Sequence, residues 1–166
     1  MTDDSAAAPP SLAPLSPAPL TPATERASFK IWAYDKLRYN DTDRQGHVNN
    51  AVFATFCETG RVGFLYNQQL ALAAPGCEFV VVRLVIDFRA ELFYPARIDI
   101  GTRVLKIGRT SFTVDQGIFR DEVCAATAET VCVQMHSETR RAHALSPTML
   151  NWLKERMGAE ISGDRH

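Results

Sequence analysis

Alternating apolar and polar residues run along most of this chain, and they predict strands. The first such run extends from Phe29 to about Tyr39, with Asp35 interrupting its apolar face, so we expect a bulge or an end there. The run from Phe79 to Phe88 is apolar enough to predict a central strand. Further strands are predicted over 98–104, 112–118 and 123–135, with turns at 108–110 and 121–122.

A helical pattern occupies about Asn50 to Leu72, with Asn49 or Asn50 as the N-cap. Its apolar residues surround most of the cylinder, which indicates burial on several sides. Gly60 and Gly63 each cost about 1 kcal/mol in a helix interior relative to alanine. We therefore expect a sheet to approach closely on that face and to compensate for the two glycines.

The two ends of the chain differ from its middle. Residues 1–27 are rich in Ala, Pro, Ser and Thr and lack aromatic side chains, so we expect a disordered tail. Near the other end, Ser146 is a good N-cap and Pro147 suits the first position of a second helix. The chain is thus divided into the tail, a folded domain over 28–145, and a C-terminal helix and tail over 146–166.

The order of the predicted elements sets the fold class. One strand and one long helix precede four or five antiparallel strands, which predicts an α+β fold with a helix laid against a curved antiparallel sheet. A length of 166 residues is suited to one such domain.

Composition excludes several classes of partner. A net charge of −1 gives no electrostatic basis for binding nucleic acid. No apolar run reaches the roughly 20 residues that span a bilayer, so no membrane association is expected. The four cysteines form no CxxC pair and follow no secretory signal, so we expect free thiols in a cytoplasmic protein.

The most polar stretch lies between the first strand and the long helix, from Arg38 to Asn50. Each polar group buried there without a partner would cost roughly 1–3 kcal/mol, so the loop is either solvated or acts on a ligand. Asp43 stands seven residues before Asn50, where the helix should begin. A carboxylate can attack a carbonyl or deprotonate a water, and helix N-terminal N–H groups can stabilise an oxyanion. From the residues alone, Asp43 could equally be a structural Asx-turn residue, as we expect for Asp41.

The sequence DTDRQGHVNN over 41–50, followed by a helix with Glu58 and Arg61, resembles the hotdog-fold thioesterases. It is most similar to 4-hydroxybenzoyl-CoA thioesterase-type acyl-CoA hydrolases and to plant acyl-ACP thioesterases. The resemblance extends from about Phe29 to about Leu145. It implies a hotdog fold, hydrolysis of acyl-CoA or acyl carrier protein thioesters, and a homodimer or homotetramer with active sites at the subunit interface.

The resemblance also implies roles for residues of the loop. Asp43 matches the catalytic aspartate, as nucleophile or general base, and the backbone N–H of Asn50 matches the amide that polarises the carbonyl. His47 matches a histidine of the plant enzymes, where it either acts on the substrate or orders the loop. Gln45 departs from the asparagine that those enzymes have at its position.

Further residues are candidates for binding the substrate. Some hotdog subfamilies use a helix glutamate, which Glu58 could supply, although we expect it to pair with Arg61. The turn over 106–111 resembles a segment that contacts CoA, where Arg109 and Ser111, with Lys106 behind them, would bind phosphates. The full set of predicted substrate-binding residues is Asn49, Phe53, Cys57, Glu58, Arg109 and Ser111.

Other interpretations of the same residues remain open. A hotdog hydratase or dehydratase acting on enoyl or hydroxyacyl thioesters is one, and a non-catalytic acyl-thioester-binding protein is another. The start of the loop is also similar to a calcium-binding EF-hand loop, but Val52 stands where that loop needs glutamate. We expect neither a metal ion nor a cofactor.

Overall fold

Five antiparallel strands and two α-helices make up the part of the chain that a computed structural model describes, residues 23–66 and 70–157. The strands, in chain order, are β1 (Ile31–Lys36), β2 (Cys77–Phe88), β3 (Arg97–Ile107), β4 (Ser111–Arg120) and β5 (Val123–His136). The helices are α1 (Asn50–Leu65) and α2 (Pro147–Arg156). The predicted α+β class is therefore confirmed.

The strands form one sheet in the order β1-β3-β4-β5-β2. The central hairpins are in register, with Ile100 opposite Ile118 and Ile118 opposite Ala126. The α1 helix packs chiefly on β1, β3 and β4. The inner face of β2, whose Phe88 lies opposite Ala126, is therefore beside the helix rather than beneath it.

The core consists of two apolar clusters under α1. One lies toward the start of the helix and includes Phe53, Phe56 and Ile100, and the other lies toward its end and includes Phe64 and Val104. The α2 helix contributes Met149 and Leu153 to the second cluster, together with Leu145. The expected N-cap of α2 is confirmed, because the Ser146 Oγ accepts a hydrogen bond of 2.9 Å from the Met149 N–H.

The two glycines of α1 play different parts. A Cβ on Gly60 would lie 2.4 Å from the Gln116 Nε2 and 2.7 Å from the Ile100 Cγ2, so only glycine permits the helix to lie this close to the sheet. A Cβ on Gly63 would meet only the Ala33 Cβ, at an ordinary 3.6 Å. The predicted close approach is confirmed at Gly60 and is wrong at Gly63.

Three of the predicted elements differ from those observed. The α1 helix ends at Leu65 rather than near Leu72, and residues 67–69 lie outside the described part of the chain. The first strand begins at Ile31 rather than at Phe29, and it ends at Lys36, next to Asp35, where an end was expected. The Asp35 side chain accepts a hydrogen bond of 3.1 Å from the Thr59 Oγ1 of α1.

The third difference is the position of β2, which was expected in the centre of the sheet and lies at its edge. Val81 and Val82 are exposed on it, so the apolar character of these two residues reflects no burial within this chain.

The segment before β1 packs across the face of the sheet opposite α1. Phe29 lies where side chains on Gly101 and Gly117 would clash with it, and Arg26 donates a hydrogen bond of 3.0 Å to Asp99. The expectation of a disordered tail up to residue 27 is therefore wrong for residues 23–27, which pack on the sheet, while residues 1–22 lie outside the described part. Among the helices described, none is long and apolar enough to cross a membrane.

Candidate active site

The loop between β1 and α1 is closed on itself by hydrogen bonds. The Asp41 Oδ2 accepts from the Arg38 N–H at 2.7 Å, and the Asp41 carbonyl accepts from the Asn49 N–H at 2.9 Å. Thr42 and Val48 pair as an isolated antiparallel bridge inside this closure. The residues between Thr42 and Val48 are thereby held as a tight turn. The hydrogen bonds of Asp41 stabilise the loop.

Asp43 lies inside the tight turn with one carboxylate oxygen held. Its Oδ1 accepts hydrogen bonds from the Gln45 N–H at 2.8 Å and from the His47 N–H at 3.2 Å. Its own N–H donates to the His47 carbonyl at 2.7 Å, and Gly46 has a φ of +83° that glycine adopts without strain. The Oδ2 makes no hydrogen bond with the described residues, so one oxygen fixes the side chain and the other remains available.

The start of α1 is capped by Asn49, and the cap leaves the Asn50 N–H unused. The Asn49 side chain caps the helix, since its Oδ1 accepts from the Ala51 N–H at 2.9 Å, and the Asn49 carbonyl accepts from the Val52 N–H at 2.9 Å. The Asn50 N–H makes no hydrogen bond with the described residues. It therefore presents a free donor at the positive end of the helix dipole.

Asp43 and Asn50 line one cavity of about 340 Å³ between the loop, the start of α1 and the end of β2. The cavity is lined by Asp43, Gln45, His47, Val48, Asn50, Phe53, Phe88, Arg89, Ala90, Glu91 and Leu92. A second cleft, of about 420 Å³, lies beside Tyr34 and Pro95, and none of the predicted catalytic residues reaches it. The predicted carboxylate and amide are thus brought together in the first cavity.

His47 is held by partners other than Asp43. Its ring packs edge-to-face on Phe93 with 5.0 Å between centroids, and its Nδ1 lies 3.6 Å from the Glu91 Oε1. The contact of His47 with Asp43 is made by its backbone, so the two side chains form no hydrogen-bonded dyad. This arrangement favours a role for the imidazole at the cavity wall over direct activation of the carboxylate.

Several predicted substrate-binding residues lie away from this cavity. Phe53 lines it, whereas Cys57 is buried one turn further along α1, where burial raises the pKa of its thiol to about 11. Glu58 is exposed on the opposite side of the helix. The expected pairing of Glu58 with Arg61 is wrong, because Glu58 faces solvent while the Nη1 of Arg61 is buried and has no hydrogen-bond partner among the described residues.

Arg109 and Ser111 also lie far from Asp43 within one chain. They occupy the β3–β4 turn, where Ser111 stands opposite Val133, while the cavity lies at the level of Ile118. Seven residues of strand separate these levels, or roughly 24 Å. The phosphate-binding candidates and the carboxylate therefore occupy opposite ends of the sheet.

The sequence-based reasoning missed the wall formed by residues 88–92. Arg89 is anchored there by a hydrogen bond of 3.1 Å from its Nε to the Thr127 Oγ1, and its N–H and that of Ala90 both donate to the Ala125 carbonyl. The sequence signal for this wall is Arg89, a charged residue directly after a long apolar strand. The sequence does not reveal which end of β2 lies beside α1.

Comparison with known proteins assigns this chain to a family. The model of the thioesterase-like superfamily matches residues 37–153, which include the loop, α1, the four long strands and most of α2. The chain belongs to this superfamily. Among curated relatives of this superfamily member, a 1,4-dihydroxy-2-naphthoyl-CoA hydrolase of Synechococcus elongatus is 25% identical over 130 residues, covering 71% of this chain and 90% of the relative.

Solved structures show that this thioesterase-like chain has the hotdog fold that its motif predicts. A protein of Pseudomonas aeruginosa strain PAO1 superposes with a TM-score of 0.74 at 23% identity, covering 82% of this chain and 97% of the other. A thioesterase of Thermus thermophilus, solved with coenzyme A and zinc, gives a TM-score of 0.66 at 24% identity and covers 76% of this chain and 98% of the other.

Proposed function

We propose that this member of the thioesterase-like superfamily hydrolyses acyl-CoA thioesters to a free acid and CoA. One observation carries the proposal: the Asp43 carboxylate and the unbonded Asn50 N–H line the same cavity at the start of α1. Two of the proteins that it resembles support the same chemistry. One relative is a 1,4-dihydroxy-2-naphthoyl-CoA hydrolase, and one structural neighbour is a thioesterase solved with coenzyme A.

In the proposed reaction the thioester carbonyl points its oxygen at the Asn50 N–H. The helix dipole and this amide stabilise the negative charge that develops on the oxygen. The free Oδ2 of Asp43 either attacks the carbonyl carbon, which forms a mixed anhydride that a water then hydrolyses to release the acid and regenerate the carboxylate, or it removes a proton from a water that attacks the carbon. The carbon–sulfur bond breaks, the thiolate leaves and takes up a proton, and one water is consumed for each acid released. The backbone bonds to Oδ1 keep the carboxylate in position throughout.

We propose further that two copies of the chain share each site. The β2 strand has a free edge and exposed valines, which suits pairing with the β2 of a second copy about a two-fold axis. Antiparallel pairing would place the start of the partner's β2 beside Phe88 and the cavity. The β3–β4 turn lies at that same end of the sheet, since Ser111 and Phe79 pair with neighbouring residues of β5. Arg109 and Ser111 would then bind the CoA phosphates of a site in the partner.

The experiment is a product analysis on a panel of short, medium, long and aromatic acyl-CoAs and acyl carrier protein thioesters. Hydrolysis predicts release of one thiol and one free acid for each thioester consumed, measured with a thiol reagent and by mass spectrometry. A hydratase would instead retain the thioester and add the mass of one water to an enoyl substrate. Acyl-CoA binding without turnover would contradict the proposal and indicate a binding protein, and turnover of carrier protein thioesters alone would assign the substrate to that carrier.

A further inference from the structure

A layer of polar side chains crosses the core beneath the middle of α1. On each of the three central strands, one polar residue stands between a member of the first apolar cluster and a member of the second. These residues are Thr102 on β3, Gln116 on β4 and Thr130 on β5, and at most 1% of each is exposed. A core built only for stability would place apolar side chains at these positions.

The layer contains polar atoms that no hydrogen bond satisfies. The Gln116 Nε2 donates to the Cys57 carbonyl at 3.1 Å and to the Thr102 Oγ1 at 3.3 Å, which leaves its Oε1 without a partner. The Thr130 Oγ1 and the Arg61 Nη1 are likewise buried without a partner among the described residues. Each such atom costs roughly 1–3 kcal/mol, so three of them together point to a ligand.

Arg61 brings a positive charge into this layer. Burial raises the pKa of the Cys57 and Cys132 thiols to about 11, and the charge of Arg61 opposes that rise at both. Cys57 stands one helical turn before Arg61 on α1, and Cys132 stands on the same face of β5 as Thr130. None of the ion pairs among the described residues includes Arg61.

The layer lies in line with the cavity that holds Asp43. Phe53 lines the cavity, and Phe53, Cys57 and Arg61 follow at intervals of four, so they share one face of α1. From Asn50 to Arg61 the helix rises roughly 16 Å, and the arginine leans back toward the N-terminus, which leaves about 10 Å between the amide and the guanidinium.

The other wall of this path is the inner face of β2. Phe88 lines the cavity, Ile86 and Leu84 follow on the same face, and Leu84 stands opposite Thr130. Both aliphatic side chains are only partly buried. The apolar side chains of Ile86 and Leu84 thus lie along β2 between the cavity and the level of the polar layer.

We propose that Arg61, Gln116 and Thr130 form the far end of the acyl site and bind an oxygen substituent, a hydroxyl or a carboxylate, on the distal end of the acyl group. A hydroxyl can donate to the Gln116 Oε1 and accept from Arg61, whereas a carboxylate can accept from both Arg61 and the Thr130 hydroxyl. An eight-carbon chain or a bicyclic ring would span the distance. This proposal rests on the proposed thioesterase function and names its substrate class.

The test compares octanoyl-CoA with 8-hydroxyoctanoyl-CoA and with the CoA monothioester of octanedioic acid. The wild-type protein should prefer at least one oxygenated substrate by about 10-fold or more in kcat/KM, since one unmet hydrogen-bonding group is worth that factor. Preference for the carboxylate would assign the subsite to Arg61 and Thr130, and preference for the hydroxyl would assign it to Arg61 and Gln116.

Two variants and a control locate the effect. Arg61→Met should abolish either preference, and Thr130→Val should abolish a preference for the carboxylate. Each should lower kcat/KM more on the preferred oxygenated substrate than on octanoyl-CoA, because the lost group meets the distal oxygen. Thr113→Val makes the same replacement on the opposite face of the sheet and should leave the preference intact.

Three results would overturn the subsite. They are equal use of all three substrates by the wild-type protein, an equal loss on all three in both variants, and dissociation of an oligomer by Arg61→Met, which would mean that Arg61 pairs across a subunit interface. If no thioester is hydrolysed, the proposed function fails by itself. Calorimetric binding of the same three thioesters to the same variants then decides the subsite.

Discussion

At the scale of single residues, two aspartates of the loop have different roles, although they look alike in the sequence. Asp41 uses its carboxylate to accept from the Arg38 N–H, and it lines no part of the cavity. Asp43 accepts two backbone donors on one oxygen and lines the cavity beside Asn50. Because both sit in the same short polar stretch, Asp41 is the natural control for any substitution at Asp43.

At the scale of elements, Gly60 and Gly63 offer a matched pair within α1. We predict that Gly60→Ala destabilises the fold by about 1–3 kcal/mol, because the new methyl group would overlap Gln116 and Ile100 and push the helix off the sheet. Gly63→Ala should stabilise by about 0.5–1 kcal/mol through helix propensity, since its methyl group makes only an ordinary contact. Urea unfolding measures both, and equal effects of the two substitutions would contradict this account of the packing.

The elements also show how far local pattern predicts this fold. The caps at Asn49 and Ser146 and the strand alternation after Tyr94 are local signals, and the observed elements agree with them. The position of β2 was not predictable, because an apolar strand has the same appearance in the centre of a sheet and at an edge that another chain could cover. The pairing of Glu58 with Arg61 failed for a related reason: helical spacing permits the pair, but the sheet decides which side chain is buried.

At the scale of the whole molecule, the exposed valines of β2 suit a second copy of the chain. We predict that the protein is at least a dimer and that Val82→Lys shifts it toward monomer, because the charge would enter the apolar edge between the two copies. Val82 is 60% exposed in the single chain, so the substitution should leave the fold intact. Val123→Lys is the control, since Val123 is 57% exposed at the β4–β5 turn.

Light scattering after size-exclusion chromatography measures this prediction, with activity measured in parallel. Loss of the dimer together with loss of hydrolysis in Val82→Lys would support a site shared between subunits. A monomeric wild-type protein would contradict the dimer, and a fully active Val82→Lys monomer would contradict the sharing. In the proposed dimer, the distance of Arg109 and Ser111 from Asp43 depends on how the copies pair, so the sequence of one chain does not predict it.

The most direct measurement compares kcat/KM of Asp43→Asn with that of Asp41→Asn and the wild-type protein on the best thioester of the panel. Asparagine keeps the Oδ1 acceptor for the loop amides but removes the free carboxylate oxygen, so Asp43→Asn should fold normally and lose about 100-fold or more of its activity. Asp41→Asn should lose no more of its activity than its loss of stability explains. Full activity in a folded Asp43→Asn variant would contradict the central claim.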